Sequence, residues 1–286
     1  SDEELEELCD LSVRGLEELI DYQNYPVEAA KISTKARRSL GVGFIGLAHY
    51  LAKLGYNYDS QEAWDAVHGL AESFQYYLLK SSNQIAKEKG HCEYFGRTKY
   101  ADGILPIDTY KREIDDVVAP KQRMPWKKLR EQIMATGQRN ATLMALMPSE
   151  TSAQISNSTN GIEPPRSLVS VKQSKDGVLK QVVPSIHRLK NKYDLLWDQK
   201  TPEGYLKICA VLQKFVDQGI SVNTSYNPKF YENEELPLSE LIKHIIMFYK
   251  YGGKQLYYFN TNDSAGEIQL DKDELEDDEN CDSCTI

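Results

Sequence analysis

No apolar run in the chain approaches the roughly 18 residues that a membrane-spanning helix needs, so a transmembrane segment is not expected. The first ten residues, SDEELEELCD, are acidic where a secretory signal would be basic and then apolar. Basic residues are in the minority: 34 Lys and Arg against 43 Asp and Glu leave a net charge of -9, which argues against a general nucleic-acid binder. Cysteine is scarce as well. Five of them, an odd number and widely spaced, do not form a disulfide framework and point to a reducing compartment. The five histidines show neither H-x-H nor H-E-x-x-H spacing, so no metal-ligand set is expected. No repeat of fixed period occurs. These features predict a soluble, cytoplasmic protein that engages neither membrane nor nucleic acid.

At 286 residues and 41% hydrophobic content, the chain can form one large domain or two ordinary ones. Helical spacing of Leu5, Leu8, Cys9, Leu16, Leu19 and Ile20 predicts an amphipathic helix over residues 1–22, with Ser12 as a small residue suited to a close helix contact. Further helices are expected over 36–54, from Ser60 to about Lys89 with Gly90 as the stop, from Trp126 to Thr136, and over 203–219 and 238–252. Strands are expected over 141–147, around Leu168–Val171, in ISVNTSYNP, and as a buried strand in KQLYYFNT. Strand and helix alternate through the second half, which makes the class α/β. From Asn262 the chain is acidic, without aromatic residues, and reads as a disordered or tethered tail.

Four stretches invite a chemical reading. GVGFIG (Gly41, Gly43, Gly46) matches the dinucleotide-binding fingerprint, which requires a strand before it and an acid about 20 residues on. KARRSL reads as no buried strand, so the glycines are taken as packing positions within a helix. Cys9 and Cys209 fall on apolar helix faces and are expected to be core residues. Cys281 and Cys284 form a C-x-x-C close to the last residue, suited to a dithiol that cycles to a disulfide. Tyr257 and Tyr258 are adjacent phenols, which are usually core but can also pass an electron and a proton stepwise. The densest cluster is MALMPSETSAQISNSTNGIEPP. There an apolar segment stops at Pro148 and Ser149, and Thr151 with Gln154 has capping-box spacing. A strand leading into a helix N-terminus with free N–H groups favours a phosphate, with Ser149, Thr151 and Ser152 as added donors. Glu150 suits a hydroxyl of a sugar or base, or the helix dipole.

LMPSETSAQISNSTNGIEPP, SKDGVLKQVVP, ADGILPIDTYK, LYYFNT and the terminal cysteine pair together resemble the large, catalytic subunit of class I ribonucleotide reductase, over essentially the whole chain. The resemblance implies an α/β fold: the second half of a ten-stranded α/β barrel over residues 1–261, followed by a tail over 262–286 that carries the redox cysteines. It implies that Ser149, Glu150, Thr151 and Ser152 hold the diphosphate of a ribonucleoside diphosphate. It assigns Tyr257 and Tyr258 to a radical relay, and Cys281 and Cys284 to re-reduction of an active-site disulfide, themselves reduced by thioredoxin or glutaredoxin. The family's radical-bearing cysteine stands in an Asn-x-Cys-x-Glu motif, which has no counterpart here. Nor have its disulfide-forming pair or the N-terminal regions that bind the effectors ATP and dNTPs.

The expectation is therefore the C-terminal part of a split catalytic subunit, inactive alone and binding no cofactor of its own. It would work with an N-terminal chain and a small subunit carrying a tyrosyl radical and di-iron centre. The alternative is a non-enzymatic remnant that keeps a nucleotide pocket or recruits thioredoxin.

Overall fold

A computed structural model describes residues 1–174 and 177–262. Helix α1 (Asp2–Tyr22) starts at a capping box in which Ser1 Oγ accepts from Glu4 N–H. Its buried side is Cys9, Val13, Glu17 and Ile20, whereas Leu8 and Leu19 of the expected stripe are exposed. Ser12 faces solvent and donates back to the Leu8 carbonyl instead of easing a helix contact. The difference arises because Glu17 takes the central buried position. Its carboxylate accepts from Arg38 Nε at 2.5 Å, Arg139 Nε at 2.6 Å and Asn140 Nδ2 at 2.8 Å, so a charge occupies the core fully paired.

The helix expected over 36–54 is two. Helix α2 (Glu28–Arg37) ends at Arg38 in the left-handed region, and α3 (Leu47–Leu54) starts after Gly46. Between them the chain is extended and lies parallel to the 141–147 segment. Leu40 and Val42 N–H donate to the Thr142 and Leu143 carbonyls, and Ala145 N–H donates back to Val42. GVGFIG is thus not helical. A Cβ on Gly43 would meet the Ala145 carbonyl oxygen at 2.1 Å, so the glycine permits the approach of two extended backbones. KARRSL is the end of α2 and the residues just beyond it, so no named strand precedes the motif, as expected, and the bridge of Val42 to Met144 falls inside it. The N–H groups of Gly46 and Leu47 at the start of α3 donate to the Thr159 and Gly161 carbonyls.

Helix α4 (Gln61–Lys89), capped by Ser60 and stopped at Gly90, is buried along much of its length and packs on α1, α5 (Trp126–Thr136) and the later helix α8 (Glu203–Gln213). Helix α6 (Glu150–Ile155) follows, then an antiparallel hairpin of β1 (Val169–Ser174) and β2 (Gly177–Val182), with Val169 opposite Val182. The sequence reading had only its first strand. After the short α7 (Ile186–Leu189), α8 (Glu203–Gln213) stops six residues short of the predicted 219. Leu206, Ile208, Leu212 and Phe215 there are each at most 1% exposed, a burial worth about 1.5–3 kcal/mol per side chain. The shortening frees Asp217 to turn inward. It accepts from Leu143 and Met144 N–H, Tyr100 OH and Gln75 Nε2, tying α8 to the parallel segments, while burial pushes its carboxyl above the ordinary range.

Strand β3 (Val222–Tyr226) crosses over through α9 (Leu238–Lys250) to the parallel strand β4 (Leu256–Thr261). Val222 pairs with Leu256 but Thr224 pairs with Phe259, so Tyr257 and Tyr258 together oppose the single residue Asn223. This is a β-bulge. The architecture is α/β as expected, but β4 is not buried: Tyr257, Tyr258 and Phe259 are about half exposed.

Candidate active site

The hydroxyl-rich loop is organised by its own side chains. Ser149 is the residue before α6, yet its side chain makes no cap. Ser149 N–H and Oγ both donate to Asn160 Oδ1, at 3.0 and 3.3 Å, and Oγ accepts from Gly161 N–H at 2.9 Å. The loop 149–161 is thereby closed at its neck. Ser156 Oγ donates to the Ser152 carbonyl, and Ser158 N–H to that of Ala153, closing the six-residue helix behind it. The capping box predicted from Thr151 and Gln154 does not form. The helix begins at Glu150, which puts Thr151 inside it.

A cavity of about 600 Å³ lies against this loop, lined by Pro148 and Ala153 on either side of the Ser149–Ser152 tetrapeptide and by Ser158 and Thr159 beyond it. Of the predicted substrate-binding residues, Ser149 is buried and engaged within the loop, and Ser152 is exposed. Glu150 and Thr151 form the first turn of α6. Thr159 was not predicted. It is 5% exposed, lines the cavity, and its hydroxyl has no partner among the described residues. A buried hydroxyl of this kind is an unused polar contact for a ligand.

The opposite wall carries Asn223, Ser225, Tyr257, Tyr258 and Asn260. The two phenol rings have centroids 4.2 Å apart at an interplanar angle of 53°, and Tyr258 OH donates to Tyr257 OH at 3.4 Å. That hydrogen bond holds the Tyr258 phenol above its ordinary pKa. The structure thus brings the flanks of the loop and the predicted tyrosine pair to one cavity, while Ser149 and Ser152 are not among the residues that line it. Cys281 and Cys284 lie outside the described residues.

The join between the walls was missed. Glu163 stands among the lining residues, with Asn160 Nδ2 donating to its Oε2 at 3.3 Å and Asn223 Nδ2 to its Oε1 at 2.7 Å. Asn223 Oδ1 in turn accepts from Tyr258 N–H at 3.1 Å. The signal was present in part: Asn160 and Glu163 fall in the quoted loop, and Asn223 interrupts an apolar strand.

The described cysteines are not poised for chemistry. Cys9 is pushed up to about 12, chiefly by burial, and burial likewise raises Cys92 and Cys209. Cys9 and Cys209 sit in the core as expected. Among the described residues no group of three or more His, Cys, Asp or Glu could hold a metal ion, and no helix is long and apolar enough to cross a membrane. A second cavity of about 710 Å³, beside the residues that lead into β4, is lined by Lys99, Lys111, Lys214 and Lys254 and holds none of the predicted site residues.

Residues 1–259 match the family described as ribonucleotide reductase, barrel domain. The chain is 56% identical over 263 residues to the ribonucleoside-diphosphate reductase subunit alpha of Haemophilus influenzae, a match covering 92% of this chain and 35% of that protein. It is 50% identical over 264 residues to ribonucleoside-diphosphate reductase 1 subunit alpha of Escherichia coli, covering 92% of this chain and 35% of the relative. With the alpha subunit of Enterobacteria phage T4 it shares 43% over 289 residues, covering 99% and 37%. The chain therefore spans little more than a third of the length of these relatives.

Proposed function

Because this chain belongs to the ribonucleotide reductase barrel-domain family, we propose that it serves the reduction of ribonucleoside diphosphates as the C-terminal part of a large subunit. The observation that carries the reading is a single cavity with a polar loop on one wall and two hydrogen-bonded phenols on the other. In this reading residues 1–261 form part of the catalytic barrel. The stretch Ser149, Glu150, Thr151 and Ser152, with the unpartnered Thr159 hydroxyl, holds the substrate's diphosphate end. Tyr257 and Tyr258 relay the oxidising equivalent. One phenoxyl takes an electron from the neighbouring phenol, and the proton follows across the OH to OH contact, so a net hydrogen atom moves between them.

The further roles are divided between this chain's own cysteine pair and other parts of the assembly. The cysteine that attacks the ribose comes from outside this chain, since the three described thiols are buried. Cys281 and Cys284 carry reducing equivalents to the site from thioredoxin or glutaredoxin. The small subunit supplies a tyrosyl radical and its di-iron centre, and effector nucleotides bind the N-terminal part. Apolar side chains left exposed on α9, Leu238, Ile242, Ile246 and Tyr249 among them, support association with further polypeptide.

The test is reconstitution. The chain, the remainder of a large subunit, a radical-bearing small subunit, reduced thioredoxin and CDP are mixed, and dCDP is measured. Product is expected from the complete mixture and not when this chain is left out. Product from the chain alone, or none from a complete mixture that binds CDP, overturns the proposal.

A further inference from the structure

Five residues form an unbroken side-chain path across the cavity. Ser149 donates twice to Asn160 Oδ1, Asn160 Nδ2 donates to Glu163 Oε2, Asn223 Nδ2 donates to Glu163 Oε1, and Tyr258 N–H donates to Asn223 Oδ1. The path starts at the neck of the hydroxyl-rich loop and ends on the backbone of the bulge that carries the paired phenols. Its members come from three separate segments: 149–163, β3 and β4.

The chemistry of the central residue decides the direction of every bond in it. A carboxylate only accepts, whereas a side-chain amide has one accepting end and one donating end. Glu163 presents an oxygen to each asparagine, so each must turn its NH2 inward, toward Glu163. Each carbonyl oxygen then faces outward, one toward the Ser149 donors and one toward Tyr258 N–H. The backbone N–H groups of Ser149 and Tyr258 at the outer ends can only donate, and both therefore need an acceptor. One acceptor-only group in the middle satisfies all of them at once.

We infer that Glu163 is a positioning residue: by setting the polarity of both asparagines it locks the substrate loop and the tyrosine strand into one frame. This deepens the proposed reductase reading and rests on it for its purpose. A relay and a substrate pocket are useful together only if their separation is held, and Glu163 is the group that holds it. The substitution Glu163→Gln keeps the shape and removes the symmetry. The new side chain has one oxygen and one NH2, and that NH2 would confront the NH2 of one asparagine. That asparagine must turn over, presenting a donor to Ser149 or to Tyr258 N–H, and one end of the path breaks.

The same logic specifies a repair. In Glu163→Gln with Asn223→Asp, the amide oxygen at position 163 takes the Asn160 NH2, and the amide NH2 beside it donates to the new carboxylate at position 223. The second oxygen of that carboxylate then accepts Tyr258 N–H. The net charge matches the unsubstituted chain and every donor along the path has an acceptor again.

The experiment is amide hydrogen exchange, read by NMR at Ser149 and Tyr258, on the full chain and on Glu163→Gln, Asn223→Asp and the double variant. Glu163→Gln is expected to speed exchange at one of these two amides roughly tenfold, the order of one lost hydrogen bond, and Asn223→Asp at Tyr258, because two carboxylates then face each other and repel. The double variant is expected to return to within about threefold of the unsubstituted chain. If Glu163→Gln does not fold, recovery of a folded protein in the double variant carries the same meaning. Unchanged exchange in Glu163→Gln, or a double variant no better than the singles, overturns the inference. CDP titration of the unsubstituted chain separates the two readings: repaired exchange in a protein that binds no CDP removes the substrate assignment and leaves the positioning role intact.

Discussion

The rings of Tyr257 and Tyr258 meet tilted to each other with centroids 4.2 Å apart, although neighbours on a regular strand leave from opposite faces. The cause is the extra residue in β4 between the pairs Val222–Leu256 and Thr224–Phe259. A bulge re-aims side chains at the cost of one ladder position, and here both phenols turn toward the same cavity. Asn223, the single residue opposite the bulge, takes up Tyr258 N–H.

Replacement of Tyr257 by Phe removes the hydroxyl and leaves the ring. In the reconstituted reductase we expect kcat to fall at least about a hundredfold with the CDP dissociation constant unchanged. Steady-state kinetics and equilibrium binding on the same preparation check this. Unaltered turnover would favour a binding protein over a radical relay.

Ser149→Ala removes the acceptor of Gly161 N–H and one donor to Asn160. A buried N–H left unmatched costs about 1–3 kcal/mol. The expected result is a loss of that size in urea denaturation, with weaker CDP binding because the loop is no longer closed at its neck.

Gly43→Ala places a methyl 2.1 Å from the Ala145 carbonyl oxygen, which is backbone and cannot swing aside. A loss of roughly 3 kcal/mol or more is expected. Gly55→Ala is the control for backbone strain alone, because a Cβ at Gly55, at positive φ, meets nothing within 4 Å. Comparison of the two denaturation midpoints tests whether the close approach, not the glycine as such, is what matters.

His68 gives the chain a pH dependence. Burial, and next the Lys214 ammonium 3.2 Å from its Nε2, lower its pKa from 6.5 to about 4, against the opposing pull of Glu72, Asp115 and Asp65. Between these values the unfolded chain binds a proton that the folded chain refuses. Stability should therefore rise with pH from about 4 to 6.5 and level off on both sides, by at most about 1.4 kcal/mol per pH unit from this residue. Urea titrations across pH 4–7 should show a shallower slope in His68→Gln.

Legibility followed the physics of each signal. Helices α1, α4, α5 and α9 were readable because local rules govern them: a serine cap, an apolar stripe, a glycine or proline at the boundary. The 36–54 segment was misread because its glycines serve a partner about 100 residues away in the chain, Ala145, and periodicity carries no trace of such a partner. The second strand of the β1–β2 hairpin and the early end of α8 were missed for related reasons, since pairing and the inward turn of Asp217 are non-local. The loop residues stood out by their hydroxyls at a helix start, the relay role of the tyrosine pair came from resemblance, and the three-dimensional arrangement added Thr159, Asn160, Glu163 and Asn223.

Residue order and type were enough to establish an α/β chain, its strongest helices, its buried cysteines and the stretches where polar chemistry is concentrated. Each of those follows from forces acting within a few residues. Folding in space settled that one loop and one bulged strand share a cavity, that Ser149 spends its hydroxyl on the loop itself, and that a carboxylate joins the two walls. Hydrogen bonds between Glu163 and Asn223, 60 positions apart, exist only once the backbone has brought acceptor and donor within reach.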